Sequence, residues 1–188
     1  MSRWVPALAL AVALAAGCSS SPPARFYTLS DTAPEVAAPA GVGQVQLTIV
    51  TIPGELDRPE VVRRIGPNQL SIAGLDRWAA PLDQVIRRVL SDDIGRRVPA
   101  PAPGRQYPVS VDIHEFYGDG SCNVTLRAAW TIKQPHAATV QPANEEIQVP
   151  SSGACPETLA ATMSVAVGQL SDRIIAGVAR QPSAIPAP

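Results

Sequence analysis

Lysine is almost missing from these 188 residues: Lys133 stands alone among 15 basic side chains, the rest being arginine. With so much Ala and Pro around it, that skew reads as genome composition and carries no function. Histidine is scarce as well. His114 and His136 are the only two, and no Cys-x-x-Cys pair accompanies them, so the spacing of a metal site is missing and no cofactor is expected. Positive charge is not in excess, with 15 basic residues against 16 acidic ones. That balance gives no electrostatic drive towards nucleic acid. Beyond the first 17 residues no apolar run approaches the ~20 residues that a membrane-spanning helix needs. There is no Gly-x-Ser-x-Gly elbow, no His-Glu-x-x-His pair and no Gly-rich phosphate loop. No internal repeat is visible.

What is present begins at the N-terminus. Arg3 precedes an uncharged apolar stretch from Trp4 to Gly17, which ends in Leu14-Ala15-Ala16-Gly17-Cys18. A charged start, a short apolar run and small residues at a cut point define an export signal. A cysteine directly after the cut resembles a bacterial lipoprotein signal, in which the Cys18 thiol takes up diacylglycerol and the new amino group is acylated in turn. The competing reading is a plain secretory signal with an incidental cysteine. One acyl chain binds a membrane marginally, whereas each buried methylene adds ~0.8 kcal/mol, so several chains hold a protein effectively permanently. In the common sorting pattern, Asp after the lipidated cysteine retains a protein at the inner membrane; Ser19 points instead to the outer membrane.

Residues 1–17 thus read as signal, 18–42 as lipidated N-terminus and Ala/Pro-rich tether, 43–181 as one folded domain and 182–188 as a disordered tail. Inside the tether Arg25-Phe26-Tyr27-Thr28-Leu29 is out of place, and its aromatic and β-branched residues suggest a short strand that docks. Docking would leave Ser19 to Ala24 as the free leash, with a reach of at most ~20 Å.

Alternation marks a strand from Gln44 to Ile52, with a change of face at Val50, ended by Pro53-Gly54. Glu55 to Pro59 is a polar turn with Leu56 as its apolar anchor. Val61–Ile65 and Gln69–Ala73 read as a hairpin about Gly66-Pro67-Asn68. Pro81 opens a helix whose Leu82, Val85, Ile86, Val89, Leu90 and Ile94 lie on one face, with Gly95 and Pro99 as stops. A proline loop, Pro99 to Gly104, leads to a strand from Tyr107 to about Tyr117. After Gly118-Asp119-Gly120 comes its antiparallel partner, Val124 to Ile132. Weaker strand signals at Ala138–Gln141 and Ile147–Val149, parted by Pro142, could form a small hairpin. Leu159, Met163, Val167, Leu170, Ile174 and Val178 stripe a last helix, ended at Gln181-Pro182. The expected fold is α+β: a mainly antiparallel sheet with two amphipathic helices on one face, in the order strands, helix, strands, helix.

An exported chain meets an oxidising compartment, which favours a Cys122–Cys155 disulfide over two free thiols or a metal pair. The residues nearest to a catalytic set are Asp112, His114 and Glu115, with Cys122 as a nucleophile. Period two puts Asp112 and His114 on one face. The plainer reading is a polar row on the open side of a half-buried sheet, and no enzyme is expected. Trp130, inside an alternating strand, reads as core.

Four blocks together resemble the PqiC-type auxiliary lipoproteins of ABC-transport and MCE systems. They are Arg25–Leu29; Ile52-Pro53 with Leu56-Asp57-Arg58-Pro59-Glu60-Val61-Val62-Arg63-Arg64; Arg77-Trp78-Ala79-Ala80-Pro81-Leu82 with Ile86, Val89 and Leu90; and Val124 to Trp130. Cys122 and Cys155 are additions to that pattern. The resemblance implies a non-enzymatic subunit anchored at the outer membrane and facing the periplasm. Its partners would be an MCE-domain protein, which forms a lipid conduit, and the associated inner-membrane transporter subunits. MCE proteins form rings, so a ring-like homo-oligomer would suit such a partner. Leu56, Asp57, Arg58, Pro59 and Trp78 are the candidate partner contacts. Against this, Asp57 and Arg58 could instead form an internal ion pair, and core packing suits Trp78 better than an interface. The rival function is a stand-alone lipoprotein that holds one lipid in its own cavity.

Overall fold

The structure is a computed structural model that describes residues 22–32, 41–133 and 140–181. Seven strands form one sheet: β1 (Arg25–Tyr27), β2 (Gly43–Thr51), β3 (Glu60–Gly66), β4 (Gln69–Trp78), β5 (Ala102–Gly118), β6 (Val124–Lys133) and β7 (Val140–Val149). Two helices complete it, α1 (Leu82–Arg97) after β4 and α2 (Leu159–Ala179) after β7. The strand order is β1-β4-β3-β5-β6-β7, with β2 paired to the first part of β5.

The fold is α+β as expected, but the sheet is mixed rather than mainly antiparallel. β1–β4, β2–β5 and β3–β5 pair parallel; β3–β4, β5–β6 and β6–β7 pair antiparallel. Alternation of apolar and polar residues sets which side of a strand is buried, but not the direction of its neighbour. The long connection from β2 to β5 carries the β3–β4 hairpin and α1, which is enough chain for a parallel crossover.

Several boundaries differ from the sequence reading. β5 begins at Ala102, inside the expected proline loop, and α1 runs past Gly95 to Arg97, where the Val98 N–H bonds the Ile94 carbonyl. β4 extends to Trp78, five residues beyond the hairpin that Gln69–Ala73 suggested. β2 changes face earlier than read: its register shifts between Leu47 and Ile49, leaving Ile49 outward and exposed while Val50 pairs with Val111. β7 is one strand, not a hairpin, and takes Pro142 opposite Thr131. It lies at the sheet edge, where a missing N–H is tolerated. The expected signal at Ala138 and Thr139 lies outside the described residues.

One face of the sheet is core. Val109, Val111 and Ile113 of β5 and Leu126, Ala128, Trp130 and Ile132 of β6 are buried there. Ile86, Val89 and Leu90 of α1 and Met163, Val167, Leu170 and Ile174 of α2 are buried with them in one cluster. The intervening residues, among them Asp112, His114 and Arg127, are exposed on the opposite face. The helices also join each other. Arg97, almost wholly buried, grips the Asp172 carboxylate with two bonds at 2.9 and 3.0 Å, and the Ser171 hydroxyl reaches Asp93 at 3.5 Å.

The N-terminal segment belongs to this body. β1 pairs with the end of β4, and residues 28–32 then continue along the helices. Leu29 is 1% exposed. The Ser30 N–H donates to the Ser164 hydroxyl on α2 at 3.1 Å, and Arg88 of α1 donates to the Leu29 carbonyl at 3.1 Å. Arg96 pairs with Asp31. The folded unit therefore takes in residues 25–32 together with the segment that starts at Gly43.

Candidate functional site

Three of the four blocks that carry the family resemblance, distant in sequence, meet at the β1–β4–β3 side of the sheet, whereas the fourth, Val124 to Trp130, lies on β6. The Trp78 N–H donates to the Pro59 carbonyl at 2.7 Å, and the next residue, Ala79, donates to the Tyr27 carbonyl at 2.8 Å. Two successive amides of one block thus hold the other two. Pro81 then caps α1 with an extended backbone, as its missing N–H permits.

The 53–59 loop is wound tightly. The Leu56 N–H bonds the Pro53 carbonyl at 2.9 Å, Asp57 bonds Gly54 at 3.2 Å, and Arg58 bonds the Leu56 carbonyl at 2.9 Å. This winding drives Leu56 into the core at 3% exposure and leaves Asp57, Arg58 and Pro59 at the surface. Arg58 does not pair with Asp57; it donates to Glu60 at 3.0 Å, and Arg77 approaches the same carboxylate at 3.7 Å. The Arg58 bond comes first among the causes that hold the Glu60 carboxyl below its ordinary value. Of the five candidate partner residues, Leu56 and Trp78 (5% exposed) are core, and the other three can reach a partner.

A second group was not visible in the sequence. The Tyr117 hydroxyl donates to Glu55 at 2.8 Å, and the Arg64 guanidinium lies 4.7 Å from the centre of the Tyr117 ring. Arg64 continues to Glu115 at 3.4 Å. Burial, then the bond to Glu55, pushes the Tyr117 hydroxyl up to about 12. On the other side of β4, Asp76 takes a bond from Arg25 at 2.6 Å and a longer one from Tyr27 at 3.4 Å, which fastens β1 to the edge. Arg25, Tyr27 and Arg64 stand in the blocks singled out by sequence, but nothing there joins them to Asp76, Glu55 or Tyr117.

Cys122 and Cys155 are bonded to each other, with Cα atoms 5.5 Å apart, so Cys122 offers no thiolate. His114 Nε2 lies 3.3 Å from Asp112, both more than half exposed on the open face. Glu115 turns to Arg127 and Arg64 across a register shift in β5. Those three side chains form a surface polar row, in no cleft with a nucleophile. Among the described residues no group of three or more His, Cys, Asp and Glu is placed to hold a metal, and no helix is long and apolar enough to cross a membrane. Cys18 and His136 lie outside the described residues.

Two clefts bear on the lipid-carrier reading. One, bounded by Tyr27, Asp76, Trp78 and Leu159, has about 10 Å³ of free space, room for one water. The other, between Val45 and Leu47 of β2 and Ile94 of α1, has about 110 Å³. Small-molecule pockets run to ~300–1,000 Å³.

This mixed sheet with two helices is a known architecture. A crystal structure of an uncharacterised protein superposes with a TM-score of 0.70 at 18% identity, covering 84% of this chain and 99% of that one. One from Xanthomonas campestris gives 0.65 at 17% identity, covering 80% and 92%. The family model for the ABC-type transport auxiliary lipoprotein component matches residues 27–175, and the chain belongs to that family. It is also 27% identical over 141 residues to the intermembrane transport lipoprotein PqiC of Escherichia coli K12, spanning 70% of this chain and 74% of that protein. PqiC of Shigella flexneri matches to the same extent.

Proposed function

We propose that this protein is a lipid-anchored, periplasm-facing subunit of an MCE-type intermembrane lipid transport system, held at the outer membrane through Cys18. It acts without catalysis, as a docking part for the MCE-domain protein and its inner-membrane transporter. The observation that carries the reading is the family match over residues 27–175, whose description is an auxiliary transport lipoprotein. The name of the similar E. coli protein adds intermembrane transport. The Leu14–Cys18 signal supplies the anchor, and Asp57, Arg58 and Pro59 supply an exposed, rigidly wound loop for a partner. Neither of the two clefts described above, at about 10 and 110 Å³, has room for a lipid.

The test is a photo-crosslinking residue at Asp57 or Arg58, used in cells that also express an MCE-domain protein. An adduct with that protein supports the proposal. Efficient crosslinking elsewhere on the surface with none at this loop removes the loop from the interface, and none at any exposed position removes the docking role. Mass spectrometry of the mature N-terminus, with membrane fractionation, tests the anchor: an unacylated Cys18 or an inner-membrane location refutes that part.

A further inference from the structure

Five of the seven large hydrophobic side chains exposed among the described residues fall on three adjoining strands: Phe26 of β1, Ile65 of β3, and Leu70, Ile72 and Leu75 of β4. Phe26 is 66% exposed and Ile72 49%. Register places Phe26, Ile72 and Leu70 on one face. Phe26 pairs with Arg77, Arg77 with Glu60, Ile72 with Val62 and Leu70 with Arg64, and Glu60, Val62 and Arg64 alternate along β3. Leu75 lies beside them in the irregular stretch between Ile72 and Arg77. Apolar surface gathered in this way marks an interaction site rather than ordinary scatter.

The chain itself says what lies nearest. Arg25, the first residue of β1, comes seven positions after Cys18, so an extended link keeps β1 within ~25 Å of any membrane that holds the cysteine. β7 lies five strand spacings from β1, or about 24 Å across the sheet. The leash therefore lets the β1–β4 edge reach the bilayer and sets it nearer the attachment point than the β7 edge. Charge is compatible. On the face that carries Phe26, Ile72 and Leu70, register places Arg64 and Arg77 with Glu60, whereas Arg25 and Arg63 alternate to the other face. Arginines beside an apolar strip suit an anionic phospholipid surface.

The geometry points to a second membrane foothold: Phe26, Leu70, Ile72 and Leu75 seat in the interfacial layer of the bilayer that anchors Cys18, and the nearby arginines meet its headgroups. This rests on the anchor proposed above. It orients the domain on the membrane, with the β6–β7 side turned towards the periplasm.

The experiment uses the full lipoprotein in vesicles of phosphatidylethanolamine and phosphatidylglycerol with brominated acyl chains. Tryptophan is placed at Ile72 (Ile72→Trp), at Leu75 (Leu75→Trp) or, as the comparison, at the exposed Asn144 of β7 (Asn144→Trp). Native Trp78 and Trp130 are buried and give a common background. A residue seated ~5–10 Å into the headgroup boundary is within reach of the bromines, so Ile72→Trp and Leu75→Trp should be quenched about twofold more than Asn144→Trp. Equal quenching at all three positions overturns the foothold. So does shielding of Ile72→Trp from both bromolipid and aqueous acrylamide, which would mean that a second copy or another protein covers the face. Leu75→Trp keeps the test open if Ile72→Trp fails to fold. The mass of the N-terminal peptide, measured on the same sample, separates the two proposals. Unacylated Cys18 refutes the anchor, whereas acylated Cys18 with no differential quenching refutes only the foothold.

Discussion

Gly177→Ala should weaken this protein even though alanine is the better helix former. Gly177 lies in the last turns of α2, against Trp130 of β6. A Cβ there would sit 2.1 Å from one ring carbon of Trp130 and 3.0 Å from two others. Carbon atoms in contact prefer ~3.5–4.0 Å. The ring has no room to yield, since Trp130 is 3% exposed and its strand is paired on both sides, with β5 and β7. Overpacking of this kind costs ~1–3 kcal/mol, against a helix gain of ~1 kcal/mol from replacing glycine. The net loss is about 0–2 kcal/mol, and the 2.1 Å approach to the ring puts Gly177→Ala at the upper end of it. In urea denaturation followed by circular dichroism, the midpoint should fall with an unchanged slope. Gly95→Ala on α1 is the matched control, because nothing lies within 4 Å of its added carbon. That variant should gain ~0.5–1 kcal/mol. A Gly177→Ala protein as stable as the parent would refute the reasoning, because the helix would then have moved off the indole at no cost.

Leu29→Ala should cost ~2–5 kcal/mol, the range for a buried leucine, and should expose residues 28–32 to protease before the domain unfolds; a shift under half a kcal/mol would mean that the segment is not held. Reducing the Cys122–Cys155 bond, which closes a separation of 33 residues, should lower stability by ~3–4 kcal/mol in the chain-entropy model, read as a drop in urea midpoint with added reductant. Stability should also fall in alkali. The Tyr117 hydroxyl is raised from 10.0 to about 12 in the fold, so its contribution is whole below pH 10 and lost as pH rises towards 12; Tyr117→Phe should flatten that decline. In acid the sign reverses. Glu55 and Glu60 are held below 4.5, so their contribution is present above that pH and lost as pH falls through the lowered values; a stability curve flat below pH 4.5 would contradict it.

The two helices were legible because each repeats an apolar residue every three or four positions and needs only one buried face. The strands were legible as strands for the same reason. Their neighbours were not: nothing in the alternation of β2 says that it runs parallel to β5, and the irregularity at Thr48 is a matter of backbone register. Ser164, Gly168 and Ser171 fell outside the apolar stripe of α2, yet they make room for other groups. The Ser164 hydroxyl accepts from Ser30, and a Cβ on Gly168 would lie 2.9 Å from the Thr32 hydroxyl. Thr28 to Thr32 has no periodicity of its own, so its course along the helices depends on packing that local pattern cannot carry. At the candidate site, burial divides the residues that the resemblance named: Leu56 and Trp78 go inward, whereas Asp57, Arg58 and Pro59 stay out. The Tyr117–Glu55–Arg64 group joins three separate segments and left no local trace.

The way the N-terminus enters the domain has a mechanical consequence. Force on the chain ahead of Arg25 enters at the start of β1, whose three residues pair with Asp76, Arg77 and Trp78. Beyond the strand, the strain passes to α1 through Arg88 and Arg96 and to α2 through Ser164. A segment spliced into both helices and the sheet can carry load while the rest of the protein keeps its shape.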